Sequence, residues 1–506
     1  MKRIISVLML SGAVAGMNSC SLDYPPKVKM GSENVETPTD AAAVRSSMYR
    51  YARLLFSGQA NYWADYQADL VNETNYSGNR GGFFYRWTNT EKNLDFVTDW
   101  EAHYQVISKA NFMLTNIDDI IASYPANAAA LKNYKGEALL LRAMAYRHLA
   151  LRYCKDYEPA SAATDYGVPV KLDFDPVSPS TGRENMQALY KQITDDIAAA
   201  EALITTAGSQ NAVYLTRDCV NAFKAQVYLD MHNYDGVIAA VNALGSTYPL
   251  IASKSNLEAM WLSDTSTETI FQFQLTSLDL AAAMQSTDYY QLTGTLDGVT
   301  TTTAGYIPEQ WVVDLYDRDN DYRWGLYLYD GWLGATNEAG SVVRAIQLRK
   351  FFGNTDLRVS STSPNYYNKP KVFRMAEMLL SKAEAQALKS APDYVGAMTT
   401  LEELRASRGL APITPVPATQ DAVMKAIRDE RVREMIGEGG RLPDIKRWKL
   451  TVTRDSQSDM PLGPGGHTMT IKWDDDKILW PIPQSEFGVN PAISGQQNPG
   501  WAAPAE

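Results

Sequence analysis

VFRMAEMLLSKAEAQAL, residues 372–388, followed after a short turn by YVGAMTTLEELR, residues 394–405, decides the architecture. Apolar residues recur at three- and four-residue intervals in both segments, the period of helices that bury one face. Small alanines such as Ala383 and Ala385 let a neighbouring helix approach, and Tyr394 follows the turn. An earlier stretch repeats the plan. Thr216-Arg217-Asp218 supplies a polar cap for Val220 to Asp230, and Tyr234 to Leu244 comes next. Lys224-Ala225-Gln226 before Tyr234-Asp235-Gly236 echoes Lys382-Ala383-Glu384 before Tyr394-Val395-Gly396, with two more residues of turn in the later copy. A further amphipathic segment, Tyr134 to Tyr153, carries Ala138, Leu141, Ala145 and Leu149 on one stripe. Such pairs follow the tetratricopeptide pattern and must stack to bury their faces. The expected fold is mainly α, with tetratricopeptide-like helix pairs, long irregular loops and a few short strands.

Between the pairs, residues 57–95, 253–306, 325–368 and 451–506 lack helical periodicity and are rich in Gly, Thr, Asn and aromatic residues. Gln272-Phe273-Gln274-Leu275 and Val342 to Leu348 read as short strands within them. Loops this long in a compact protein carry function, and their aromatic content argues against disorder.

With 506 residues, 45% of them hydrophobic, the chain can bury a large core. A formal charge of −11 without any Lys/Arg block leaves no electrostatic footprint for nucleic acid. The N-terminus has the layout of a lipoprotein signal: basic Lys2 and Arg3, an apolar stretch from Ile4 to Ala15, then Met17-Asn18-Ser19-Cys20. The apolar run is too short for a membrane span. Residues 1–19 are therefore expected to be a signal peptide, with Cys20 lipidated. Residues 20–40 would form a Pro-stiffened tether, and 41–250 and 251–506 the two parts of one compact unit. Cys154 and Cys219 either pair or stay as buried thiols. The four histidines lie too far apart in sequence to suggest a Cys/His metal cluster.

Ile427-Arg428-Asp429-Glu430-Arg431-Val432-Arg433-Glu434, then Gly437-Glu438-Gly439-Gly440-Arg441 and Asp444-Ile445-Lys446-Arg447-Trp448, resemble the RagB/SusD family signature. So do Leu479-Trp480-Pro481-Ile482-Pro483-Gln484-Ser485-Glu486, Asn490-Pro491 and Gln497-Asn498-Pro499-Gly500-Trp501. Upstream, Arg374 to Leu380, Ala383-Glu384-Ala385 and Trp100, Tyr104, Ile107 and Asn111 match as well. Leu442-Pro443 departs from the aromatic usual before the Asp, which bears on local packing. The resemblance implies a lipid-anchored outer-membrane protein facing the cell exterior. It would sit as a lid on a SusC-like TonB-dependent transporter and capture glycan, less often peptide, for import.

The acids between Glu430 and Asp444 could suggest a surface glycoside hydrolase, since such enzymes use paired carboxylates. Arg431, Arg433, Arg441, Lys446 and Arg447 are interleaved with them, and carboxylates beside guanidinium make poor general acids. An ion-pair network joining the last helix to the C-terminal loop is the expectation, and no enzyme. Asp317-Arg318-Asp319-Asn320-Asp321 has calcium-loop spacing, but Tyr322 and Leu328 stand where an EF-hand needs Gly and Glu. A looser calcium site there is the one cofactor left open. Ligand recognition is assigned to rings outside the helices: Trp63, Tyr85, Trp87, Tyr289, Tyr290, Trp311, Trp324 and Trp332, with Asn89. A pyranose stacks its C–H face on such a ring, at roughly 1–2 kcal/mol each. Two or three rings then give an affinity between about millimolar and micromolar.

Overall fold

The computed structural model describes residues 35–174, 181–296, 299–336, 342–358, 364–457 and 470–502. The signal, Cys20 and most of the tether lie outside them. The repeats form as helix pairs, Arg217–Asp230 with Tyr234–Asn242 and Met375–Leu388 with Tyr394–Ser407. Both second helices open on the same device. Asn233 Oδ1 accepts the Gly236 N–H at 3.1 Å, and Asp393 Oδ1 accepts the Gly396 N–H at 2.8 Å. A Cβ on Gly236 would lie 2.7 Å from the Asn233 amide, and one on Gly396 2.2 Å from the Asp393 carboxylate. The cap therefore demands glycine three residues on, which is why Tyr-x-Gly recurs. Met375–Leu388 packs on both helices of the earlier pair, burying Val237, Ala240, Ala383 and Ala387.

A longer antiparallel pair, Leu94–Ser123 and Ala128–Tyr153, is crossed by Pro38–Leu55. That last helix starts on a capping box, in which Thr37 Oγ1 accepts from the Asp40 N–H while Asp40 accepts from the Thr37 N–H at 3.0 Å. One continuous buried core draws on residues from Val35 to Ile493. No helix among the described residues is long and apolar enough to cross a membrane.

Three boundaries differ from the sequence reading. Residues 371–374 form a strand rather than the start of a helix. It pairs antiparallel with Thr269–Gln272, three residues earlier than the strand expected at Gln272. Phe373 lies opposite Phe271, both fully buried, so cross-strand packing overrides helical periodicity. The apparently aperiodic stretches also hold short helices, Gln59–Gln67 and Lys254–Leu262. The strand at Val342–Leu348 forms as expected. It closes a four-stranded sheet of β1 (Gln291–Leu296), β2 (Val299–Thr303), β3 (Leu328–Thr336) and β4 (Val342–Leu348), in that order. β2 and β3 run parallel, while the outer pairs are antiparallel.

Cys154 and Cys219 are separate buried thiols, and burial pushes Cys219 up to about 12. Glu309 is a fully buried carboxyl that accepts the Asp455 N–H, and burial raises its pKa to about 8. A carboxyl raised in the folded state contributes stability that is complete below its ordinary pKa and lost as pH rises through the folded value. Glu309→Gln keeps an acceptor for Asp455 and cannot ionise. Its stability relative to the parent is expected to gain on the order of 4 kcal/mol between pH 5 and pH 9. Urea titrations at the two pH values check this, and a pH-independent difference would refute it.

Candidate functional site

Half of the eight rings singled out in the sequence are buried. Trp63 stacks on Phe84 with centroids 5.3 Å apart and meets Trp480 at 6.5 Å. The Tyr85 hydroxyl donates to Asn72 Oδ1 at 2.8 Å, and the Arg454 guanidinium lies 3.9 Å from its ring centre. Tyr289 meets Tyr62 edge-on at 4.7 Å. Tyr290 and Asn89 are buried too. In this structure none of these presents a free face on which a sugar could stack, because residues far along the chain cover them.

Trp87, Trp311 and Trp324 are half-buried. The Trp87 indole donates to the Gln67 carbonyl at 3.1 Å, and Arg454 sits 4.1 Å from its centre. The Trp311 indole donates to the Asp69 carbonyl at 3.0 Å. Arg318 lies 4.8 Å from the Trp324 ring. The edges of Trp87 and Trp311 are thus committed to backbone, and each of these three rings already packs on protein.

Trp332 differs. It is 36% exposed, in the middle of β3. Successive strand residues point to opposite faces. Leu333 is buried with Ala345, Ala304 and Ile307, while Asp330, Trp332 and Gly334 alternate on the open side. Arg344 lies directly across from Trp332 on β4, its guanidinium 5.8 Å from the ring centre and its Nε 2.6 Å from Asp330 Oδ1. On β2 the neighbour of Trp332 is Thr301, whose hydroxyl is 3.4 Å from that of Thr293. Gly334 completes the arrangement. A Cβ there would stand 3.7 Å from the Tyr76 hydroxyl and 3.8 Å from the Thr293 and Thr301 hydroxyls. The glycine leaves a slot lined by three hydroxyls beside an exposed indole.

This surface has what a pyranose needs: a ring for its C–H face, hydroxyls that both donate and accept, and an ion pair at the edge. Sequence reasoning found Trp332 but missed Tyr76, Thr293, Thr301, Asp330, Gly334 and Arg344. The alternation Asp330-x-Trp332-x-Gly334 was the available signal for two of them, Asp330 and Gly334.

The carboxylates that could suggest hydrolysis lie elsewhere, inside the protein. Glu430 is fully buried against Arg323, Arg405 and Arg433, and the Arg323 and Arg433 guanidiniums help hold it down at about 2 despite burial. Glu434 is bound by Arg323, Arg374 and Arg408 and held well below the usual carboxylate range. Neither can deliver a proton to a glycan. The network ties the Gln420–Met435 helix to upstream Arg323, Arg374, Arg405 and Arg408, and through Arg431 to Asp444 of the next helix, rather than to the C-terminal loop. In the Asp317 to Asp321 stretch, Asp317 accepts from the Asp319 and Asn320 N–H groups, and Asp321 binds Arg323. No group of three or more His, Cys, Asp or Glu converges for a metal among the described residues.

Residues 180–501 match the sequence model of the SusD family, and residues 29–229 match one described as starch-binding associating with outer membrane. No curated protein matches the chain. Among solved structures it resembles a SusD superfamily protein from Bacteroides thetaiotaomicron (23% identity, 91% of this chain and 99% of that one, TM-score 0.75). A SusD-like carbohydrate binding protein from Bacteroides vulgatus is 21% identical over 91% of this chain and 98% of that one, with TM-score 0.72. A laminarin binding SusD-like protein is 21% identical over 92% of this chain and all of the other, with TM-score 0.66. At these identities the structures establish the shared fold.

Proposed function

Because the chain belongs to the SusD family, we propose that it is a cell-surface lipoprotein that captures oligosaccharide on the Trp332 surface and passes it to a SusC-like TonB-dependent transporter. The observation that carries this reading is the exposed Trp332 indole beside the hydroxyl-lined slot at Gly334. The family model that names starch binding and the outer membrane supports it, as does the neighbour named for laminarin binding. Anchoring would come from acyl chains on Cys20, each buried methylene adding roughly 0.8 kcal/mol.

The test is calorimetry of the protein lacking residues 1–20 against starch-type and laminarin-type glucans, other neutral and acidic glycans, and a peptide mixture. We expect a dissociation constant between about millimolar and micromolar for at least one glycan, without cleavage. Gly334→Leu fills the slot while leaving the core untouched, and is expected to weaken that binding at least fivefold at unchanged thermal stability. Heat from peptides with none from glycans would assign the protein to peptide capture instead.

A further inference from the structure

In an acidic chain with most of its buried cations paired, Arg349 is an exception. It follows β4 directly and is half-buried. Its guanidinium lies 5.3 Å from the Tyr329 ring centre and 4.8 Å from that of Phe352. No carboxylate pairs with it among the described residues. By contrast Arg344, five residues earlier, is neutralised by Asp330 at 2.6 Å, and Arg323, Arg374 and Arg408 are each gripped by carboxylates.

The rings that hold Arg349 are themselves braced. Tyr290 meets Tyr329 edge-on at 5.5 Å and Phe352 at 5.9 Å, and Phe352 meets Tyr366 at 6.3 Å. A second guanidinium, Arg358, stands 5.9 Å from the Phe352 centre, and its Nε has no hydrogen-bond partner among the described residues. Two cations thus flank one ring, with no side-chain hydrogen bond from either among the described residues. Aromatic faces hold a guanidinium in place but leave its in-plane N–H groups free. Those groups match carboxylate and sulfate in geometry and charge. A neutral sugar would leave both charges uncompensated.

We infer that Arg349, oriented by Tyr329 and Phe352 and assisted by Arg358, is a recognition site for an anionic group on the captured glycan, so that the cargo is an acidic polysaccharide carrying carboxylate or sulfate. This rests on the glycan-capture reading and adds its charge class. Tyr329 and Trp332 lie three residues apart on β3, about 10 Å along the strand, and alternation sets them on opposite faces. The two sites therefore open on different sides of the sheet, and a glycan engaging both must be long enough to pass round its edge.

The test uses oligogalacturonate, the same oligosaccharide with its carboxylates reduced to alcohols, a sulfated oligosaccharide of equal length, a neutral glucan and an acidic peptide. Each is titrated into the parent protein and into Arg349→Gln at low and high salt. At least one acidic glycan is expected to bind ten times or more tighter than its neutral form. That advantage should be lost at high salt and in Arg349→Gln, while neutral-glycan affinity changes less than twofold. The uronate and sulfate arms separate the two sources of charge. Equal binding of acidic and neutral forms would overturn the inference and leave glycan capture standing. Binding of the acidic peptide alone, or of none of the probes, would overturn both. Arg349→Lys is the control: it keeps charge but not the fork, and should recover only part of the acidic preference.

Discussion

Glu434→Gln is expected to cost 3–5 kcal/mol, the range found when one partner of a buried ion pair is removed, out of a total stability of roughly 5–15 kcal/mol. The parent carboxylate is fully buried and accepts from Arg374 at 2.7 Å, Arg408 at 3.0 and 3.1 Å, and Arg323 at 3.1 Å. Glutamine is almost the same shape. Packing is therefore unchanged, and the whole loss comes from charge left without its counterpart and from an amide N–H₂ pressed against guanidinium. Arg374 and Arg408 keep Glu268, and Arg323 keeps Asp321 and Glu430, so the cluster is weakened rather than erased. Urea titration of the variant measures the loss. A change under 1 kcal/mol would show that the network is not what holds these segments together.

Trp332→Ala is expected to weaken glycan binding about five- to thirtyfold while leaving the unfolding midpoint within the error of the parent. The exposed part of the ring is what a sugar covers, and that contact is worth roughly 1–2 kcal/mol, where 1.4 kcal/mol is tenfold. The comparison that gives this result meaning is Trp87→Ala. Trp87 donates to the Gln67 carbonyl and packs against Arg454, so its loss should lower stability and leave affinity in place. If Trp87→Ala removes binding in a stable protein and Trp332→Ala does not, the site has been put in the wrong place.

The helical scaffold was legible because its signals are local. Caps, periodicity and the Tyr-x-Gly that opens each second helix all act within four residues, and Asn233 with Gly236 repeats as Asp393 with Gly396. The fate of the rings was not legible, because it is settled by residues hundreds of positions away. Trp63 is covered by Trp480, and Tyr62 bonds Ser286. Richness in aromatics outside helices looks the same in sequence whether the rings face a ligand or fill a core. Trp332 escapes this ambiguity through strand alternation that sets it opposite Leu333. Likewise the arginines around Glu434 were visible as charges, but not Arg323 and Arg374 as its partners.

The charge cluster also sets an order of events in the life of each molecule. In the chain, Arg323, Arg374 and Arg408 precede Glu430, Glu434 and Glu438, which balance them together with Glu268 and Asp321. Until the Gln420–Met435 helix and Glu438 have docked, three guanidiniums would have to leave water without enough carboxylates to receive them, at a cost of several kcal/mol for each ion. Docking of the half of the molecule built around these arginines therefore needs nearly the whole chain, and a chain ended before Glu430 is expected to stay open around them.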